Sequence, residues 1–487
     1  MKLLIDTNIF IPLEPTAEGD LGPGTEPAVR FASRAQTFGC TLFVHPASRD
    51  DIDRDKDDRR RRLRTQTFQK YAQLPDPPPI TPDIEALIGS ATPQSNDWVD
   101  DLLLVALRSN AADWLVSEDA RIHKKAKRLQ VADRVFRVRE ALTALEQLFG
   151  VPQPPPAVRA VKAHAVNRAD SILDSIRRDY SDFDVWLDKC AREHRQAWIV
   201  EADGQYGGLT IINNERAHAH GLSGKVLKIC TFKVSERHNG FRYGELLLKT
   251  VFDFAVKRGF DHLFVEAFEK HEPLVALLSE FGFDPLPERT TRGELVLAKP
   301  MKPDPASRSM SGLDLHRRFG PHAVRLDGTP AFLIPIQPRY HRILFPEAEP
   351  QLELAAGASP AGNAIRKAYL CLAPSRQIRS GDNLLFYRSQ GDGLITVLGV
   401  VEETLATRDP QRIAAQVGKR TVYSFAEIRS MCDRGEVLAI LFRQARILAP
   451  ALPLDDAVRE GFAKGPPQSI VRLPDGTGTW LTARIGP

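Results

Sequence analysis

A proline run about a third of the way along constrains this chain most: residues 151–156 read VPQPPP. Proline lacks the amide donor and fixes an extended backbone, so neither a helix nor the interior of a sheet can run through such a segment. One folded body must end there and another begin. With 487 residues the chain is too long for one ordinary hydrophobic core, and its length alone suggests about three domains. Two further breaks follow. Residues 301–312 (MKPDPASRSMSG) are short, polar and proline-bearing, and residues 348–362 (AEPQLELAAGASPAG) read as a loop inside the last segment. The expected domains are therefore 1–150, 157–303 and 312–487.

Periodicity gives each part a class. Before the proline run, apolar strand-like stretches at 3–5, 41–44, 114–117 and 134–138 alternate with helical patterns, the sign of an α/β domain with a parallel sheet. Residues 158–302 read as helix first, then strands, then helix, strand, helix. After Gly312 the chain turns β-rich, with AFLIPI, AYLCLA, NLLFYR and LITVLGVVEE as short strands. Composition excludes less. Hydrophobic content of 43% and charged content of 26% are those of a soluble globular protein, and a net charge of +4 permits nucleic-acid binding without requiring it. The cysteines (Cys40, Cys190, Cys230, Cys371, Cys432) are scattered with no C-x-x-C pair, which points to reduced thiols rather than a disulfide frame or zinc site. The opening MKLLIDTNIF is interrupted by Asp6 and cannot be a signal core, and no run of 18 apolar residues exists. A cytoplasmic protein without a membrane partner is expected.

The chemistry-bearing residues of the first domain are acids. Asp6 ends the first strand in LLIDTN, and ligands of parallel sheets gather at carboxyl strand ends; a helix-capping role is the ordinary alternative. Asp50 and Asp51 follow a strand in FVHPASRDDID, within a charge run that also suits a solvated face. In NDWVDDLLLVAL, Asp97, Asp100 and Asp101 fall at i, i+3 and i+4 on one helix face, a repulsive arrangement that a helix N-terminus or a bound cation relieves. Asp119 in WLVSED again lies just past a strand. Carboxylates hold Mg²⁺ or Mn²⁺, which acidifies a bound water and stabilises charge on a phosphodiester under attack.

The pieces LLIDTNIF, VHPASRDDI, DDLLLVALRSNAADWLVSED and RVFRVREALTALEQL together resemble the PIN family of nucleases, over residues 1–149. The resemblance implies metal-dependent endoribonuclease activity, often in toxins or RNA-processing factors. It makes Asp6, Asp51, Asp101 and Asp119 the catalytic metal ligands, with Asp100 competing for the third place and Thr7 or Asn8 assisting. The second position is usually Glu in that family, where this chain has Asp50-Asp51.

In the middle segment, LKICTFKVSERHNGFRYGELLLKTVFDFAVKRGFDHLFVEAF reads as a strand ending near Val234, a turn with Gly240 and Gly244, a helix with Leu247, Val251, Phe254 and Ala255 toward the core, and a second strand. Such a turn offers backbone N–H groups to an anion such as pyrophosphate; a plain strand-to-helix turn is the alternative. The order resembles the GNAT acetyltransferases over residues 158–302. It implies acetyl-CoA as cofactor, held around Val234, Arg237, Asn239, Gly240, Arg242 and Gly244. Arg242 stands at the family's second glycine or alanine position. In HEPLVALLSEFGF, Leu278 replaces the tyrosine that in many members protonates the leaving thiolate. Glu236 and Glu266 are candidate bases near the amine site.

The last segment carries Arg339, Tyr340, His341 and Arg342 after a strand, and Arg366, Lys367, Arg376, Arg379 and Arg388 around later ones. Basic groups neutralise phosphates and aromatics stack on bases. Residues 331–448 resemble the PUA-like β-barrel group that includes ASCH and EVE families, which implies binding to RNA or a modified nucleotide. The assembled expectation is an α/β multidomain enzyme: a PIN-like metal-dependent ribonuclease, a GNAT-like acetyl-CoA domain and a PUA-like RNA-selecting barrel, as a toxin or RNA-processing factor. An antitoxin or a protein acetyl acceptor would be further partners. The alternatives are an acetyltransferase acting on RNA, aminoacyl-tRNA or protein with a non-cleaving PIN domain, and a non-enzymatic RNA-binding acyl-CoA sensor.

Overall fold

The computed structural model describes residues 1–150, 158–202, 204–215, 219–349, 360–389 and 392–486. The proline run and residues 350–359 of the 348–362 loop lie outside the described residues. Contacts divide the chain into two compact units, Met1–Pro152 with Thr407–Glu436, and Gln153–Ala406 with Val437–Pro487.

The first unit is built on a five-stranded sheet of β1 (Lys2–Ile5), β2 (Thr41–Val44), β3 (Ala72–Gln73), β4 (Trp114–Val116) and β5 (Val135–Phe136), in the order β3-β2-β1-β4-β5. All its pairs are parallel. Leu3, Leu4 and Ile5 of β1 and Trp114, Leu115 and Val116 of β4 are fully buried, as strands covered on both faces must be, so they read as continuous apolar runs without alternation. The chain leaves β1 toward β2 and β3, then returns to β4 on the other side. The carboxyl ends of β1 and β4 therefore flank a topological switch point, the usual ligand address of an open parallel sheet.

Residues Thr407–Glu436 belong to this unit, whereas their sequence position had assigned them to the last domain, 312–487. Their helices, Pro410–Val417 and Phe425–Arg434, cover the β4–β5 side of the sheet. Trp114 Nε1 donates to Ala415 O at 3.2 Å, Lys419 Nζ donates to Ala132 O at 3.2 Å, and Arg420 pairs with Asp133. Large apolar side chains such as Trp114 and Phe136 need cover, and the segment that supplies it is distant in the chain.

In the second unit a seven-stranded mixed sheet runs β11-β12-β10-β9-β8-β7-β6. Its strands are β6 (Val158–Lys162), β7 (Gln196–Ala202), β8 (Gln205–Glu215), β9 (Val226–Val234), β10 (His262–Ala267), β11 (Asp284–Arg289) and β12 (Leu295–Pro300). It opens on the strand β6, not on the expected helix. Only β9 and β10 are parallel, and their register runs from Val226↔His262 to Ile229↔Val265. Beyond Ile229, β9 continues to Val234 paired with β8 alone, so the two parallel strands part. The helix Tyr243–Lys257 joins them and buries Leu247, Leu248, Val251, Phe252 and Ala255 on the sheet.

The remaining sheet contains β13 (Ala331–Ile336), β14 (Arg366–Cys371), β15 (Asn383–Arg388), β16 (Leu394–Thr407), β17 (Val437–Pro453) and β18 (Val471–Arg472), in the order β14-β17-β16-β15-β13-β18. Among the described residues the two end strands do not pair, so the sheet is open and the expected closed barrel is corrected. Closure requires the end strands to meet with a matching stagger. Here the approach to β14 is engaged elsewhere, because Ile365 is buried in the core of the seven-stranded sheet. No helix among the described residues is long and apolar enough to cross a membrane.

Candidate functional site

The acids of the first unit gather where β1 and β4 end. Asp6, 4% exposed, caps the helix Thr7–Leu13: its Oδ1 accepts from Thr7 N at 2.5 Å, and its Oδ2 accepts from Ser117 Oγ at 2.6 Å and Asn8 Nδ2 at 2.5 Å. The capping role and the strand-end address thus coincide. Asp51 Oδ2 accepts from Thr7 Oγ1 at 2.7 Å, and its other oxygen pairs with Arg54; nothing comparable ties Asp50 to Thr7. Asp119 caps the helix Ala120–Arg128, accepting from Arg121 N at 2.6 Å and from Arg121 Nη2 at 3.2 Å.

Asp100, not Asp101, faces this cluster. Adjacent residues on a helix are rotated by about 100°, so only one of the pair can point each way. Asp101 Oδ1 accepts from Lys125 Nζ at 2.5 Å, on another side of the helix Asn96–Arg108. Burial, followed by the charges of Asp6 and Asp119, pushes the Asp100 carboxyl up to about 7. Its buried Oδ2 makes no hydrogen bond, with Arg121 Nη2 at 3.8 Å. Burial also raises Asp6, against the lowering bonds from Ser117 and Thr7. For Asp119 burial works upward but the bonds and charge of Arg121 outweigh it, and its carboxyl lies below the usual range. Ser117 and Arg121 are site residues that the acid pattern did not single out; the serine directly after β4 was the available signal.

Among the described residues no group of three or more histidine, cysteine, aspartate or glutamate side chains is arranged to hold a metal ion. The oxygens of Asp6 are engaged by Thr7, Asn8 and Ser117, and Arg121 already supplies a cation to Asp97, Asp100 and Asp119. The arrangement is an acidic cluster bridged by hydroxyls and one guanidinium, and it does not fit a preformed Mg²⁺ or Mn²⁺ sphere. No step through a metal follows from it.

The second candidate lies at the end of β9. Val234 pairs with Gly208 on β8; Arg237 and Asn239 are exposed on the turn. Gly240 has φ +96°, where an L side chain is strained, and Arg242 enters the left-handed region at φ +62° as the cap of the helix Tyr243–Lys257. A Cβ on Gly244 would stand 2.8 Å from Leu277 Cδ2. The first-turn N–H groups of Gly244 and Glu245 have no intrahelical acceptor and, with the helix dipole, make this turn attractive to an anion. It lies at the strand end where β9 and β10 part.

Other expected groups are placed less favourably. Leu278 is fully buried in the core, so no hydroxyl replaces the missing tyrosine there. Glu266, the first β10 residue past the shared register, accepts from Lys228 Nζ at 2.5 Å and engages His220 Nε2 at 2.9 Å, while His220 Nδ1 meets Glu288 at 2.8 Å. Burial works upward on Glu266 but Lys228 and His220 outweigh it and hold it below its ordinary range, which makes it a poor free base. Glu236 is exposed.

In the last sheet much of the expected basic surface is turned inward. Lys367 is fully buried and donates to Ala361 O and Gly362 O, at 2.7 and 3.0 Å. Arg366 is bound to Glu402 and Glu280, and Arg388 to Asp392 and Glu349. His341 is fully buried between Glu349 and Thr396. Arg339 lies over the Tyr340 ring at 4.3 Å.

The split between β9 and β10 thus lies beside a glycine-bearing helix N-terminus. Residues 166–283 match the model of the acetyltransferase (GNAT) family, and this part of the chain is a GNAT domain. No curated protein matches the chain. Among solved structures, a GNAT acetyltransferase from Staphylococcus aureus is similar at 13% identity over 30% of this chain and 100% of its own, with a TM-score of 0.25. An IAA acetyltransferase from Bacillus cereus is similar at 14% identity over 29% of this chain and 97% of its own, with a TM-score of 0.22. An ASCH protein from Zymomonas mobilis is similar at 13% identity over 31% of this chain and 93% of its own, with a TM-score of 0.24.

Proposed function

We propose that the chain is an acetyl-CoA-dependent acetyltransferase with its catalytic domain at 157–303, acting on an amine carried by RNA, aminoacyl-tRNA or protein. The observation that carries this reading is the turn Gly240–Gly244, set where β9 and β10 part inside the segment that matches the family. Acetyl-CoA supplies the activated acyl group. The first-turn N–H groups and Arg242 bind its pyrophosphate, while the open edge of β9 from Cys230 to Val234 offers backbone groups to its chain. A neutral amine attacks the thioester carbonyl: the C–N bond forms, the C–S bond breaks and the amine proton passes to the leaving sulfur. Glu266 orients Lys228 and His220 at the mouth of the split and takes no proton itself. The test is transfer of label from [¹⁴C]acetyl-CoA to RNA, charged tRNA and protein fractions, alongside calorimetric titration with acetyl-CoA. Absence of both binding and transfer would sink this reading, and binding of CoA and RNA without transfer would favour the sensor.

A second reading, a PIN-like domain at 1–150 that cleaves RNA, is favoured by one observation: Asp6, Asp51, Asp100 and Asp119 gather at the β1–β4 switch point, with Asp100 Oδ2 free of hydrogen bonds. We assign Asp100 rather than Asp101 to that site. Cleavage of RNA, assayed with and without added Mn²⁺ or Mg²⁺, that Asp100→Asn removes and Asp101→Asn retains is the expected outcome. Cleavage unaffected by Asp6→Asn and Asp100→Asn would exclude this cluster. The domain at 312–487, less the helices at 410–434, would present the RNA, and a toxin's antitoxin would be sought only if cleavage is found.

A further inference from the structure

The turn of the GNAT domain is tied to a segment outside it. Asn363, 4% exposed at the end of the short helix Pro360–Asn363, donates from Nδ2 to Phe241 O at 2.8 Å. Glu245, 3% exposed in the first turn of the helix Tyr243–Lys257, accepts from Arg242 Nη1 at 3.1 Å through Oε1. Through Oε2 it accepts from Ile365 N at 2.7 Å and Arg366 N at 3.3 Å. One turn further, Lys249 Nζ donates to Gly362 O at 2.8 Å. Ile365 itself is buried in the core of the seven-stranded sheet.

These bonds bracket the one strained, non-glycine residue of the turn. Arg242 has φ +62°, a conformation that costs an ordinary residue about 1–3 kcal/mol and persists only where its surroundings enforce it. The carbonyl just before it is held by Asn363. Its guanidinium is held by Glu245, whose other oxygen is held by the backbone of Ile365 and Arg366. A carboxylate in the first turn would otherwise oppose an incoming pyrophosphate. Here both its oxygens are satisfied by donors, one of them the Arg242 guanidinium.

We propose that Asn363 and the Ile365–Arg366 backbone are positioning elements of the acyl-CoA site, so that the segment leading into β14 is a working part of cofactor recognition. This rests on the reading that the Gly240–Gly244 turn binds the acyl-CoA pyrophosphate. The segment makes no contact with the thioester in this scheme; it acts through Phe241, Arg242 and Glu245. Its effect should therefore be confined to ligands that carry the pyrophosphate.

The experiment titrates the full chain and its Asn363→Ala variant with acetyl-CoA and with S-acetylpantetheine, which lacks the pyrophosphate. Loss of one positioning hydrogen bond should weaken acetyl-CoA by about tenfold and leave S-acetylpantetheine unchanged. Glu245→Gln, which keeps the shape but weakens the hold on Arg242, should shift the same ratio in the same direction. Equal acetyl-CoA affinity in wild type and both variants overturns the inference while leaving the acyl-CoA reading intact. Equal weakening of both ligands, with a lowered melting temperature, overturns it too, because a merely structural role would act that way. If the wild-type chain binds neither ligand, the underlying reading fails and the inference with it.

Discussion

The turn after β1 and the turn after β9 share an address, the carboxyl end of a strand where its sheet changes direction or parts, yet they face opposite electrostatic problems. After β1, carboxyl groups are crowded together and partly buried, so that Asp6 and Asp100 are raised, and Arg121 serves as an internal counter-charge to Asp100 and Asp119. After β9, first-turn backbone N–H groups that lack an intrahelical acceptor and Arg242 gather around glycines. The first arrangement attracts cations and repels phosphate unless something positive intervenes; the second attracts phosphate directly. The same strand-end geometry therefore serves opposite ligands, and the side chains at the turn decide which.

The largest effect should come from removing the support of the acidic site. Trp114, fully buried beneath the helix Pro410–Val417, begins the strand that leads to Ser117 and Asp119. Trp114→Ala should cost about 3–5 kcal/mol in the unfolding transition of the first unit, followed by denaturant titration. A loss under about 1 kcal/mol would mean that the helices at 410–434 do not cover this strand.

The crowding itself can be tested next. The Asp100 carboxyl lies near 7 in the folded chain against 3.8 ordinarily, so the folded state binds its proton more tightly than the unfolded state does. Stability from this group is present below about pH 4 and is lost as pH rises toward 7. Asp100→Asn should therefore stabilise the first unit at pH 8 by a few kcal/mol, and by little at pH 4, in buffer with EDTA. An equal gain at both pH values would remove the contrast between the two turns.

At the glycine turn, Gly240→Val forces a β-branched residue to φ +96°. A strain of about 1–3 kcal/mol should weaken acetyl-CoA binding by about tenfold or more in calorimetry. Unchanged affinity would show that the turn does not contact the cofactor. The smallest effect concerns Thr7, whose hydroxyl links Asp51 to the turn that Asp6 caps. Thr7→Val should cost about 0.5–1.5 kcal/mol, read from thermal unfolding, and should leave acetyl-CoA binding untouched.

Strand-end addresses were legible because they depend on local patterning: an apolar run, an acid or glycine, then a helix start. Asp6, Asp119 and the Gly240–Gly244 turn fall where that pattern put them. The choice between Asp100 and Asp101 was not legible, since i+3 and i+4 share a face in sequence terms and only the position of Lys125 separates them. The basic residues of the last segment misled for a related reason. Charge can be counted in a sequence, but Lys367 and Arg366 are turned inward onto carbonyls and carboxylates.

By itself, the sequence determined the parallel-sheet pattern of the first domain and the turns able to meet a cation or an anion, because periodicity and backbone preference act within a few residues. The tertiary structure alone decided that the helices at 410–434 complete the first unit, that the end strands of the last sheet do not pair among the described residues, and that Asn363 and Ile365 hold a turn some 120 residues earlier. Those outcomes depend on which exposed apolar surface and which unpaired donor find one another across the folded chain. No local pattern records such pairings, since their free energy comes from burial and hydrogen bonding between distant segments.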